Sequence, residues 1–287
     1  MPKLNPFIQH YRIILLLMAI AIAVFLLFPS SKNKQVMITP PGYAAIGDSV
    51  AAGLGLESSS DSSACGRTDE SYPNLVAKSL SMQLYNYACS GATVSVGISG
   101  QQTVNNLPLP SQIDQLHKGI KPKLITITIG ANDVEWTSIL ARCVATTCGT
   151  ESDTADIDTK LMSLKNNLQS ALKQIRTTYK EDTPMIILTG YYRIFPESDG
   201  CNTIAGIDSA EQHWWNEQGD KLDITLADAS SGDNSIIYTP VSFSGHDICS
   251  QNSWIQSVED SALFHPNDQG QKIIAETIIQ TYRSLKK

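Results

Sequence analysis

Five short runs, residues 43–46, 83–87, 124–129, 185–189 and 235–239, read as buried strands, and longer segments of helical character alternate with them. The clearest helical segment is 156–179, where Leu161, Leu164, Leu168, Leu172 and Ile175 recur at helical spacing and form one core-facing stripe. Two further helices are expected over 209–229 and 267–285. A strand that is followed by a helix cannot pair with the next strand through a tight turn, so the chain must cross over. The pattern predicts a three-layer α/β/α sandwich around a mostly parallel five-stranded sheet with right-handed crossovers. About 250 residues after the N-terminal segment suffice for one such domain, and 42% hydrophobic with 17% charged residues is ordinary globular usage, which argues against disorder.

Three of these strands end in small or polar residues. The first breaks into Gly47-Asp48-Ser49, the second into Cys89-Ser90-Gly91-Ala92 and the third into Gly130-Ala131-Asn132-Asp133. Open α/β sheets bind ligands at the carboxyl ends of their strands. Gly47 permits a sharp turn there, and Ser49 then opens a helix with its hydroxyl facing the crevice. A serine hydroxyl is a poor nucleophile until a base takes its proton, so an imidazole must come within hydrogen-bond reach. His265, in Phe264-His265-Pro266-Asn267, is the candidate. A tetrahedral intermediate also needs preorganised donors, which the Gly91 backbone amide and the Asn132 side chain can supply. Gly-x-Ser-x-Gly, the nucleophile elbow of α/β-hydrolases, does not occur.

Ser49, Gly91, Asn132 and His265, in this order, resemble the four blocks of the SGNH, or GDSL, hydrolase superfamily. The resemblance runs from about Tyr43 to the C-terminus and implies that superfamily's flavodoxin-like sheet. The run Phe243-Ser244-Gly245-His246-Asp247-Ile248-Cys249, then Trp254-Ile255, then Phe264-His265-Pro266-Asn267 with Gly270, is similar to the secreted, disulfide-bonded esterases and lipases of streptomycete type. It implies Ser49 as nucleophile, His265 as general base and then acid, and an oxyanion hole of the Ser49 and Gly91 amides with the Asn132 side chain.

The chain departs from most of that superfamily three residues before the histidine, where an aspartate is usual and Ala262 stands. In some of the disulfide-bonded esterases a main-chain carbonyl at that position holds the imidazole. We therefore take the Ala262 carbonyl as the orienting group, with the Asp260 carboxylate in reserve and Glu259 as a solvated charge.

Residues 13–28 are 16 uninterrupted apolar residues after Lys3 and Arg12. That is short for a spanning helix and long for a signal-peptide core, and no Ala-x-Ala site follows. We favour an uncleaved signal anchor over a cleaved signal, with residues 1–35 as anchor or signal and linker and 36–287 as the catalytic domain. Four basic residues and no acid lie in those first 35 residues, so the remainder carries 17 bases against 28 acids, a net of −11. This is the wrong sign for nucleic acid or an anionic membrane surface.

Six cysteines behind an export segment read as disulfides, although they permit 15 pairings. Cys143 and Cys148 bracket a short loop and should pair locally. The resemblance implies Cys65 with Cys89 and Cys201 with Cys249. The absence of Cys-x-x-Cys and of histidine pairs at ligand spacing argues against zinc; no metal or cofactor is expected.

The expected activity is that of an extracytoplasmic serine esterase or lipase, acting through an acyl-enzyme on a small-molecule or lipid ester. We expect a monomer held to the membrane by its N-terminal segment. The same four residues also serve carbohydrate O-deacetylases and acyltransferases on cell-envelope glycans, and an anchored binding protein could keep the fold without turnover. Trp136 is the expected substrate contact, Trp214 and Trp215 are expected to pack, and His117 and His213 should be solvated. His246 could shape the active-site loop or make a structural hydrogen bond.

Overall fold

The structure is a computed structural model that describes residues 40–57, 64–118, 120–179, 183–197, 204 and 206–286. The anchor assigned to the first 35 residues, and Cys201, lie outside the described residues.

Strands β1 (Gly42–Gly47), β2 (Gln83–Asn86), β5 (Pro122–Thr128), β6 (Met185–Thr189) and β7 (Ile236–Thr239) form one sheet in the order β2-β1-β5-β6-β7, with every neighbouring pair parallel. A parallel sheet covered on both faces needs strands that are apolar throughout. That is why Tyr43, Ala44, Ala45 and Ile46, with Leu124, Ile125 and Ile127 opposite, read as continuous runs and are buried. The chain moves from β1 outward to β2 and then returns to pair β5 on the other side of β1. This reversal puts a crevice at the carboxyl ends of β1 and β5, the place where open α/β sheets bind ligands.

The helices among the described residues are α1 (Ser49–Ala52), α2 (Tyr72–Leu80), α3 (Gln112–Leu116), α4 (Trp136–Ala145), α5 (Glu151–Thr178), α6 (Ser209–Ser230) and α7 (Asp268–Ser284). α2 packs on α7 and α5 on α6, and these pairs flank the sheet as the expected three-layer sandwich. The stripe Leu161, Leu164, Leu168, Leu172 and Ile175 is buried, as its spacing predicts. Each such side chain contributes about 1.5–3 kcal/mol of burial. α5 starts at Glu151, five residues before the expected start, because its first turn is fixed by a polar capping box. There Asp153 N–H donates to Thr150 Oγ1 and Thr150 N–H to the Asp153 carboxylate.

Helices α2, α3 and α4 and one hairpin go beyond the sequence reading. Residues 136–145 form α4, in a stretch to which the sequence reading assigned no element; Ile139 and Cys143, four apart, are its buried residues. β3 (Gln102–Val104) and β4 (Leu107–Leu109) form an antiparallel hairpin outside the main sheet. Its turn residues Asn105 and Asn106 both have positive φ (49° and 62°), a backbone asparagine tolerates, and the main-chain twist then matches the hairpin.

Cys65 is bonded to Cys89 and Cys143 to Cys148. Cys249 is also disulfide-bonded, and its expected partner Cys201 lies outside the described residues.

Candidate active site

Ser49 begins the four-residue α1 directly beyond β1. Gly47 makes this turn at φ 142°, and a Cβ there would stand 2.2 Å from the Thr128 carbonyl oxygen, so no other residue fits without moving β5. Asp48 caps α1, its carboxylate accepting from Val50 N–H at 3.0 Å. Three buried glutamines from distant parts of the chain fix this segment, and sequence reasoning missed all of them. Gln112 accepts from Gly47 N–H at 2.7 Å and donates to the Gly47 carbonyl at 2.9 Å. Gln271 of α7 donates to the Val50 carbonyl at 3.0 Å, and Gln256 to the Leu54 carbonyl at 2.9 Å. A side-chain amide carries donor and acceptor side by side, which lets Gln112 close on both polar groups of one residue.

His265 lies just ahead of α7, whose N-cap Asn267 accepts from Gln269 and Gly270 N–H. The loop is fastened to residues 254–256: Gln256 N–H donates to the His265 carbonyl at 2.8 Å and Phe264 N–H to the Gln256 carbonyl at 3.1 Å. Tyr192 OH donates to the Phe264 carbonyl at 2.7 Å. In this setting His265 Nε2 stands 2.8 Å from Ser49 Oγ. Nucleophile and base thus meet although 216 residues separate them.

Two main-chain carbonyls, those of Leu263 and of the expected Ala262, act on the ring. His265 Nδ1 lies 3.2 Å from the Leu263 carbonyl, whereas the Ala262 carbonyl accepts the His265 backbone N–H at 3.1 Å. Phe264 takes a left-handed backbone, φ 69°, between Leu263 and His265. With its proton on Nδ1, the neutral ring presents a free lone pair at Nε2. The reserve group, Asp260, accepts from Ser257 N–H at 2.6 Å and from Ser257 Oγ at 3.0 Å, capping its own turn. Burial lowers the His265 pKa from its ordinary value near 6.5, and the carbonyls of Leu263 and Ala262 oppose that shift. The shift favours the neutral ring, the state a base requires.

Asn132 follows β5, and its Nδ2 donates one hydrogen to the Ala92 carbonyl at 2.9 Å. The other N–H remains for a ligand. That bond also ties the Asn132 loop to the residue after Gly91. Gly91 turns at φ 76° on the loop beyond β2, where Cys89 N–H donates to the Gly47 carbonyl at 3.0 Å and the Cys65–Cys89 bridge closes the base. Asp133 holds the same loop, its carboxylate accepting from Val94 N–H at 3.0 Å.

Ser49, Asn132 and His265 line one mainly apolar pocket whose walls include the aromatic residues Trp136, Tyr191, Tyr192, Trp215 and Phe264. Trp136 and Trp215 meet edge to face at 4.8 Å. Trp215 therefore both packs and lines the pocket, while Trp214 donates from Nε1 to Thr154 at 2.9 Å. His246 stacks on Trp254 and its Nδ1 pairs with the Asn252 carbonyl, a structural bond. His117 and His213 are exposed; His117 pairs with Thr178, and His213 stands 3.4 Å from Glu217.

The pocket floor carries buried acid. Burial raises the Asp48 pKa to about 7, against the Tyr191 hydroxyl, which donates to this carboxylate and favours its charged form. Tyr191 OH also accepts from Ala131 N–H at 3.3 Å, and Tyr191 N–H donates to Asp223, whose pKa burial raises to about 6. Among the described residues no group of three or more His, Cys, Asp or Glu side chains could hold a metal ion. What the arrangement can do is deprotonate a serine hydroxyl beside an amide donor, at the mouth of an apolar pocket.

Residues 45–273 match the GDSL-like Lipase/Acylhydrolase family. The chain is 28% identical over 269 residues to a lipase of Streptomyces rimosus, covering 89% of this chain and 91% of the relative. It is 27% identical over 242 residues to lipase 1 of Streptomyces coelicolor, covering 80% and 82%. Among solved structures, phospholipase A1 from Streptomyces albidoflavus superposes with a TM-score of 0.66 at 26% identity, over 84% of this chain and 99% of that one.

Proposed function

The chain belongs to the GDSL-like lipase/acylhydrolase family and is a serine ester hydrolase, and from that premise we propose that it is an extracytoplasmic esterase or lipase working through an acyl-enzyme on Ser49. The observation that carries this reading is the 2.8 Å contact between Ser49 Oγ and His265 Nε2. In the first step His265 takes the hydroxyl proton as Oγ bonds to the ester carbonyl carbon. The carbonyl oxygen gains charge facing the Asn132 amide and the backbone N–H groups of Ser49 and Gly91. The imidazolium then returns its proton to the leaving alcohol. Water, activated by the same imidazole, cleaves the acyl-serine and restores the hydroxyl. The Leu263 and Ala262 carbonyls keep the ring oriented through both halves, without a carboxylate.

The apolar pocket beside Ser49 suits the acyl group. Disulfides and the likeness to the Streptomyces lipases support a location outside the cytoplasm. Among the described residues no helix is long and apolar enough to cross a membrane. The anchor proposed for residues 13–28 lies outside them; retention of the full-length chain in membranes after high-salt washing tests it, and a single monomeric species in detergent tests the expected monomer. The mechanism is tested by Ser49→Ala and His265→Ala. Each should abolish ester hydrolysis, and the double variant should be little worse than either, because the two residues act as one unit. Substantial turnover by folded Ser49→Ala would refute it.

A further inference from the structure

A second, polar groove lies next to Asn132. α5 presents Lys160, Ser163 and Asn167 along it at i, i+3 and i+7, beside the buried leucine stripe. Thr93 and Ser95 of the loop beyond Gly91 form the opposite rim, and Asp133 and Glu135 close the end beside Asn132. Asn167 Nδ2 donates to Ser95 Oγ at 3.2 Å, so the two rims are already joined. Asn132 lines both this groove and the aromatic pocket. An ester whose carbonyl sits at Asn132 therefore borders both the mainly apolar pocket and this groove of hydroxyl, amide and carboxylate groups.

We infer that this groove is the subsite for the alcohol portion of the substrate, and that it takes a neutral polyhydroxylated group such as a sugar. The inference rests on the esterase reading of the site. Its chemistry is that of polyol recognition: carboxylates accept from hydroxyls, the ammonium donates, and hydroxyl and amide side chains do both. The charge balance selects against a phosphate. Lys160 is engaged by Glu135 at 3.0 Å and by Asp156 at 2.7 Å, and Asp133 adds a further carboxyl group. An anionic head group would meet these carboxylates with the lysine already occupied, whereas uncharged hydroxyls meet partners of both kinds.

The test compares kcat/KM of the full-length protein for 6-O-octanoylglucose, methyl octanoate and dioctanoylphosphatidylglycerol, which share their acyl group. The wild type should favour the glucose ester over each of the others by about tenfold or more. The double variant Ser163→Leu/Asn167→Leu should cut the glucose-to-methyl ratio by about tenfold, mostly through KM, as expected for the loss of one or two hydrogen bonds to hydroxyls. Ser163→Ala/Asn167→Ala should shift it in the same direction, and Asn166→Leu, an exposed neighbour outside the groove, should leave it unchanged. A wild-type ratio near one, a preference for the phospholipid, or a ratio indifferent to the double variants would overturn the inference. In each of those cases hydrolysis of methyl octanoate would still depend on Ser49. Hydrolysis that persists in Ser49→Ala would instead sink the esterase reading itself, and the inference with it.

Discussion

The Tyr191 hydroxyl donates to the carboxylate of Asp48, the residue immediately before the nucleophile candidate, and accepts from Ala131 N–H, the residue immediately before Asn132. One phenol thus joins the turn that presents Ser49 to the loop that presents Asn132. Tyr191→Phe keeps the ring and removes both bonds. We expect kcat to fall by about 10–100-fold with a smaller change in KM, because small displacements of an aligned donor are costly. Stability should fall by about 1–3 kcal/mol, since a buried carboxyl loses its partner. Steady-state kinetics with thermal unfolding checks this; an unchanged kcat would show that the two loops hold their alignment without the phenol.

Asp48 gives a stability signature with a defined sign. Burial raises its folded-state pKa to about 7 from an ordinary value of 3.8, so the fold favours the protonated form. Its contribution is complete below about pH 4 and is lost as pH rises through about 7. Asn mimics the protonated acid. The difference in unfolding free energy between wild type and Asp48→Asn should therefore move, from pH 4 to pH 8, in favour of the variant. Denaturant titrations across that range measure it, and a difference independent of pH would mean that Asp48 titrates as an ordinary surface carboxylate.

Orientation of His265 by a main-chain carbonyl makes the neighbouring acids dispensable. Asp260→Asn and Glu259→Gln should each keep activity within about tenfold, a change of ~1.4 kcal/mol or less in the barrier. Where an aspartate holds the ring, its replacement by asparagine costs about 10⁴. The pH profile carries the same information. With the ring pKa lowered by burial and no carboxylate raising it, the acid limb of kcat/KM should lie below 6.5. An acid limb above that value, or a thousandfold loss in folded Asp260→Asn, would assign the role to a carboxylate.

Asn132→Ala should lower kcat by about 10²–10³ with little change in affinity, as for the loss of one oxyanion donor. The bond from Asn132 Nδ2 to the Ala92 carbonyl predicts in addition that Asn132→Asp, which cannot donate to that carbonyl, is at least as impaired. Loss of affinity alone would make Asn132 a binding residue.

The buried strands and the leucine stripe of α5 were legible because their periodicity is set by burial within one element. Ser49 and His265 could be named from local motifs, and the fold brings them together through β1 and the loop before α7. Gln112, Gln256 and Gln271 could not be found that way. Each is a polar residue whose partner is a main-chain group 65, 202 or 221 residues away, and nothing in the flanking sequence marks it. The part played by the Leu263 carbonyl lies beside one left-handed residue, Phe264, which carries no sequence signal because such a backbone favours glycine or asparagine. α4 did carry a signal: Trp136, Ile139, Leu140 and Cys143 recur at i, i+3, i+4 and i+7.

The central claim is that Ser49 is the residue acylated during turnover. A fluorophosphonate reacts with an activated serine and stays attached, so peptide mapping by mass spectrometry identifies the nucleophile directly. The account predicts a single modified residue, Ser49, with modification lost in Ser49→Ala and strongly slowed in His265→Ala. A label on any other side chain, or labelling that persists at full rate in Ser49→Ala, would contradict it.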